Sequence, residues 1–321
     1  MKKILRGEIV FITFILFLLQ CTTSRPELYL RSDLPRLLQE NDSLLVLNEY
    51  KDTEQMLELK LRNLELINKS RKKEGLPPVA LDILASRVAN KHCQEMAEQG
   101  YISHWNTKGE KPYHRYALAG GTHAIVENIH VSVTTGYLER SSEESKLEYM
   151  NQGHLGFMAE KPPFDGHRKN ILDPHHNAVG IGCYLSEKGL AYAQEKRFAY
   201  AQEFLNKYLQ MDTFPRKIQA GQTVTFSGKI MEPNLYPFLL LVYYEPCPRP
   251  MSVLELQNTS SYPDFTDTQY KTLWNQFWLE EKTQRFKINL TLEGAKPGLY
   301  YVKIYLSKKK GRVYNSEDGF P

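Results

Sequence analysis

The hydrophobic period of this chain changes once along its length, and that change limits the folds open to it. Between Thr53 and Phe157 apolar residues recur at helical spacing, whereas after Pro215 they alternate, as in Phe286, Ile288, Leu290 and Leu292. A mixed α/β region followed by a β region is therefore expected, and 321 residues suffice for about two domains.

The first predicted helix starts after Thr53 and puts Leu57, Leu61, Leu64 and Asn68 on one face, with Ile67 beside it. Gly75 stops it and Pro77-Pro78 block its continuation. A second fits Asp82 to Gln99, with Asp82 as N-cap, Leu84, Val88 and Met96 facing inward, and Gly100 as terminator. A third opens on the capping-box pattern Ser141-x-x-Glu144 and carries Leu147, Met150, His154 and Phe157. Strands are expected at 178–185 and 197–205, then at 223–226, 238–244, 285–292 and 299–306. This last series, with Gly294, Pro297 and Gly298 at a turn, suggests an immunoglobulin-like β-sandwich. Within it, Trp274, Phe277 and Trp278 at i, i+3 and i+4 predict a short helix over Tyr270–Glu280 that packs on the sandwich, in preference to a sugar-stacking platform.

At the N-terminus, Lys2, Lys3 and Arg6 precede the apolar run Ile9–Leu19, which is too short to span a bilayer and reads as an export signal. The run ends in Leu18-Leu19-Gln20-Cys21, which resembles a bacterial lipobox, so Cys21 is the expected lipidation site; Gln20 stands where small residues are usual. The expected order is a lipoprotein signal peptide over 1–20, a tether over 21–52, an α/β domain over 53–210 and a β-sandwich domain over 211–321. Such a protein is exported and tied to a membrane by lipid, facing periplasm or cell surface. Export leaves Cys93, Cys183 and Cys247 either as buried free thiols or with one disulfide among them. The charge balance, 41 Lys+Arg against 37 Asp+Glu, argues against a nucleic-acid partner.

All nine histidines lie between residues 92 and 176. Neutral imidazole suits zinc and similar ions, so the clustering raises a metal site, although no His-Glu-x-x-His places two ligands on one helix. There is no Gly-x-Ser-x-Gly elbow and no P-loop. Of these histidines, His92 and His154 fall on apolar helix faces and read as core. His114, His123 and His130 read as exposed or rim residues, and His175 and His176 follow Pro174 in a loop.

Six ordered motifs then point to one family. They are Leu66-Ile-Asn-x-x-Arg71 with Glu74-Gly-Leu-Pro-Pro78, His92-Cys-Gln-Glu-Met96 with Gly100-Tyr-Ile-Ser-His104, Glu127-Asn128-Ile129, Asp165-Gly-His-Arg-Lys-Asn-Ile-Leu172, Gly180-Ile-Gly182, and Gln202-Glu-Phe204. Residues 61–204 resemble the CAP superfamily of cysteine-rich secretory proteins, antigen 5 and pathogenesis-related proteins, in its bacterial (SCP-like) branch. The resemblance implies an α-β-α sandwich with a broad cleft, in which two His and two Glu can bind a divalent cation. Carried over by motif, the metal ligands are His104 and His167 and the first cleft acid is Glu127. Glu160, in Phe157-Met-Ala-Glu160, is the second acid, with Glu148 as rival. A cation held this way, zinc before others, is weakly bound, and the carboxylates orient the imidazoles or a bound water.

Three functions fit these readings. The first is an envelope lipoprotein acting as a binding module for a cation, lipid, peptide or envelope partner. The second is a metal-dependent peptidase-like hydrolase with Glu127 as general base. The third is a structural envelope protein. The first is preferred, which makes the chain more a binder than an enzyme.

Overall fold

The computed structural model describes residues 26–135, 143–186, 195–259, 262 and 269–311. Cys21 and the signal run, and Ser141 of the expected capping box, lie outside them.

Two helices open the described chain, α1 (Pro26–Ser43) and α2 (Glu54–Lys73). Thr53 caps α2 by accepting from Met56 N. Strand β1 (Ala80–Leu81) leads into α3 (Ile83–Gln99), whose bounds are those expected from Asp82 and Gly100. The Asp82 side chain accepts from Ala85 N, and Gly100 ends the helix in the left-handed region at φ 77°. Helix α4 (Pro112–Leu118), strand β2 (Ala124–Thr135), helices α5 (Glu143–Ala159) and α6 (Gly166–Leu172), and strands β3 (Ala178–Ser186) and β4 (Glu195–Asn206) complete the first region.

Its sheet has the order β1-β3-β4-β2, so β2 is an edge strand. The pleat sends alternate side chains to opposite layers. Phe198, Tyr200 and Phe204 join Leu57, Ile67, Met150 and Phe157 of α2 and α5. Ala199 and Ala201 join Ala89, Cys93 and Met96 of α3. This is the expected α-β-α sandwich. The α3 layer sits close because β3 carries glycine where the helix crosses: a Cβ on Gly182 would lie 2.4 Å from the backbone of Ala89.

Residues 26–52 are docked, which corrects the expected tether. Leu37 and Asn41 are buried. Arg87 of α3, itself fully buried, donates to the carbonyls of Asn41, Leu44 (2.8 Å) and Val46 (2.7 Å). Lys60 of α2 meets Asp52 at 2.6 Å, both buried. Polar anchoring of this kind leaves little hydrophobic period to read.

The second region is built from β5 (Leu209–Met211), β6 (Thr223–Ile230), β7 (Tyr236–Glu245), α7 (Val253–Gln257), β8 (Gln269–Trp274), β9 (Trp278–Glu280), β10 (Arg285–Thr291) and β11 (Leu299–Ser307). Two antiparallel sheets, β5-β6-β10-β9 and β11-β7-β8, share a core of Val224, Phe226, Leu240, Val242, Ile288 and Leu290. The expected helix over Tyr270–Glu280 is instead β8 and β9. Asn275, at φ 50°, turns the chain between them, so Trp274 packs on Phe238 while Trp278 is half exposed beneath Lys287.

The two regions are not separate bodies. Leu256 of α7 is fully buried in the α3 core with Met96 and Ile129. Glu245 of β7 accepts from Lys111 Nζ (2.9 Å) and Tyr113 OH (2.6 Å). Cys93, Cys183 and Cys247 are free thiols, the first two buried, so the disulfide alternative is not formed.

Candidate functional site

Two histidine–glutamate pairs flank one point of the edge strand β2. The first is reached from α3. Beyond Gly100 the chain reverses, and His92 Nε2 donates to Ser103 O at 2.8 Å, pinning the loop that carries His104. Burial pushes the His92 imidazole down to about 4, with the positive charge of Arg115 adding to the effect, so the donor is a neutral ring. From α4, Arg115 donates through Nη1 to His104 O (2.6 Å) and Glu110 O (3.1 Å), and through Nη2 to Glu127 Oε2. The other carboxylate oxygen, Glu127 Oε1, lies 2.8 Å from His104 Nδ1.

Glu127 is fully buried, which by itself disfavours its charge. The Arg115 guanidinium, with the hydrogen bond from His104, outweighs that and holds the carboxyl well below its usual range. An ionised Glu127 has no proton to give, so His104 is the donor, through Nδ1.

Opposite Glu127 in the strand register stands Glu203 of β4. It is fully buried and lies 3.8 Å from Arg115 Nη2. Burial and the negative charge of Glu127 push its carboxyl well above the usual range. One guanidinium thus faces two carboxyls whose proton affinities are pushed apart, Glu127 down and Glu203 up.

The second pair lies on the other face of the sheet. Asn128, next to Glu127 and therefore pointing oppositely, donates to Gln202 Oε1 and to His167 O, each at 3.1 Å, and accepts from Asn170 Nδ2 at 2.9 Å. These bonds tie α6 to β2. Glu160, just beyond α5, accepts from His167 N at 3.0 Å and pairs with His167 Nδ1. The His167 ring leans on Phe157, centroids 4.6 Å apart.

The structure therefore pairs His104 with Glu127 and His167 with Glu160. Glu148 is exposed and bonds Gln152, away from the site. Glu127 and Asn128 are consecutive residues of strand β2. Arg168 pairs with Glu74 at the surface. His154 is a satisfied core residue, bonded to Ser70 and Gln202. Arg115, Glu203 and Tyr262 were not anticipated. Glu203 stood inside the closing motif without a role; a lone acid amid the apolar residues of a central strand is the signal that marks it.

For a divalent cation the donor set fits in kind. Each imidazole has its Nδ1 against a carboxylate, the arrangement by which an acid orients a ligating His and leaves the other ring nitrogen for a metal. Among the described residues, no group of three or more His, Cys, Asp or Glu is arranged to hold a metal ion. The carboxylates orient the rings, so any cation would rest on imidazole nitrogens and water.

The α-β-α sandwich carries its two His–Glu pairs astride an edge strand, and this same stretch of chain is the part that resembles known proteins. Residues 64–204, somewhat under half of the chain, match the family described as CAP, cysteine-rich secretory protein family. A curated relative, the uncharacterized protein YkwD of Bacillus subtilis (strain 168), is 29% identical over 119 residues, 37% of this chain and 39% of its own length. The match thus spans about two fifths of that relative. Among solved structures, an extracellular protein containing a SCP domain from Bacillus anthracis str. Ames is 20% identical, with TM-score 0.31 over 46% of this chain and 39% of that one. An outer surface protein from Borrelia burgdorferi is 18% identical, with TM-score 0.31 over 48% of this chain and 93% of that one.

Proposed function

We propose that the protein is an exported, lipid-anchored CAP-domain protein of a bacterial cell envelope, and that its cleft is a binding module using His104 and His167. The observation that carries this reading is the paired geometry: both imidazoles are oriented through Nδ1 by their own carboxylate. The weakly held ligand is a divalent transition metal, zinc before others, with open positions for water or a small donor group. The hydrolase alternative is disfavoured by Glu127. A carboxylate locked to Arg115 and held well below its usual range is a poor acceptor for a water proton at neutral pH.

Calorimetry with zinc on the wild type and on a His104→Ala/His167→Ala double variant tests the site. Loss of binding in the variant, with the melting transition retained, supports it; equal binding in both proteins refutes it. Binding should weaken in acid, because only neutral imidazole ligates. The anchor rests on the lipobox-like flank of Cys21; among the described residues, no helix is long and apolar enough to cross a membrane. Cys21→Ser should move the protein out of the membrane fraction and abolish fatty-acid labelling; persistent labelling would exclude Cys21 as the lipid site.

A further inference from the structure

The β region reaches into the site. A strap leaving β7 lies along the loop that carries His104: Met251 N donates to Thr107 O (2.8 Å), Gln257 Nε2 donates to Gly100 O (3.0 Å), and the Ser103 and Thr259 hydroxyls meet at 2.6 Å. Leu256, buried beneath it, anchors the strap to α3. Beyond that anchor, Tyr262 sets its ring edge-on to His104, centroids 4.7 Å apart, with Trp105 (6.1 Å) and Tyr113 (6.2 Å) around it. Its hydroxyl accepts from the backbone N–H of Glu127 at 3.3 Å. Because β2 is an edge strand, that N–H has no strand partner on its outer side and is a donor that an incoming ligand would use.

We infer that Tyr262 is an intramolecular occupant of the His104 half of the cleft, and that this half is a subsite for an aromatic group bearing an acceptor oxygen. Three features converge on that chemistry: an imidazole edge, two aromatic walls, and one outward backbone donor. The His104 side chain is left only 12% exposed. A ligand reaches His104 by displacing the Tyr262 ring, so the β region controls access to the CAP cleft. The inference deepens the binding-module reading, yet concerns contacts that hold whether or not the cleft takes a metal.

The test is the rate at which diethyl pyrocarbonate modifies His104 in the intact protein, read residue by residue by mass spectrometry. Two histidines serve as internal standards: His154, fully buried, and His175, whose side chain is 73% exposed. In Tyr262→Ala the His104 rate should rise about tenfold, the scale of a lost aromatic contact, while the two standards hold. Adding p-cresol, the tyrosine side chain as a free molecule, should restore protection, and toluene, which lacks the acceptor, should not. A His104 rate unchanged from wild type would overturn the inference, as would equal protection by toluene for the acceptor subsite. Should His154 also become reactive in the alanine variant, Tyr262→Phe decides: removal of the hydroxyl alone should speed His104 about threefold, and no change would overturn the proposal. Zinc titration of the same variants separates the two readings. Tighter zinc binding in Tyr262→Ala supports both, whereas an opened His104 with no zinc binding in any variant leaves the occupant standing and removes the metal.

Discussion

Replacing Arg115 by Met should cost more stability than any single change at the two histidines. Arg115 is buried, donates to Glu127, and also holds the His104 and Glu110 carbonyls. The methionine keeps much of the apolar stem but leaves Glu127 buried beside Glu203 without a counter-charge. Removing one partner of a buried ion pair costs about 3–5 kcal/mol. In a domain of this size each kcal/mol moves Tm by about 2–4 °C, so a fall of roughly 6–20 °C is expected at pH 7. The pH dependence identifies the cause. In the wild type the Glu127 carboxyl is depressed when folded, so its stabilisation is present above the ordinary value of 4.5 and is lost as pH falls toward the folded value. In the variant the buried carboxyl keeps only its hydrogen bond to His104, its folded value rises, and acid then costs the fold less than it costs the wild type. The gap between the two proteins should therefore be widest near pH 7 and narrow below pH 4.5. Calorimetric melts at a series of pH values measure it. A gap of constant size would show that the loss is packing and backbone anchoring, and would refute the electrostatic account of the site.

Glu203→Gln should raise Tm at pH 7: a carboxyl whose folded value lies above 4.5 favours folding only below that pH, and the penalty grows as pH rises toward the folded value; the gain should vanish in melts below pH 4.5. Gly182→Ala should cost about 1–3 kcal/mol or more in denaturant titration, because the added methyl meets the Ala89 backbone rather than a side chain that can turn away. Leu256→Ala should cost about 2–5 kcal/mol and destabilise the CAP domain, not only the β region, which proteolysis of the α3 layer would report. By the same contact, the β region expressed alone would expose Leu256, and the CAP domain alone would lose part of its core.

What the sequence determined by itself was the chemistry that acts over a few residues. Asp82 and Gly100 bound α3 through a cap and a left-handed terminator, both local events. The alternation of β10 needs no distant partner to be seen, and the ordered motifs alone single out His104, Glu127, Glu160 and His167 for attention. Tertiary structure decided what depends on pairing between distant segments. Strand register alone sets Glu203 opposite Glu127, and helix packing alone aims Arg115 between them. The docking of residues 26–52 was hidden because it runs through carbonyls accepting from Arg87, which leave no side-chain pattern. Aromatic spacing over Tyr270–Glu280 satisfied a helix equally well, until a left-handed Asn275 and the β7 edge drew Trp274 into a sheet. Tyr262 meets Glu127 from 135 residues further along the chain. No local period records such a contact, since the free energy that selects it belongs to the packed pair of regions and not to either segment.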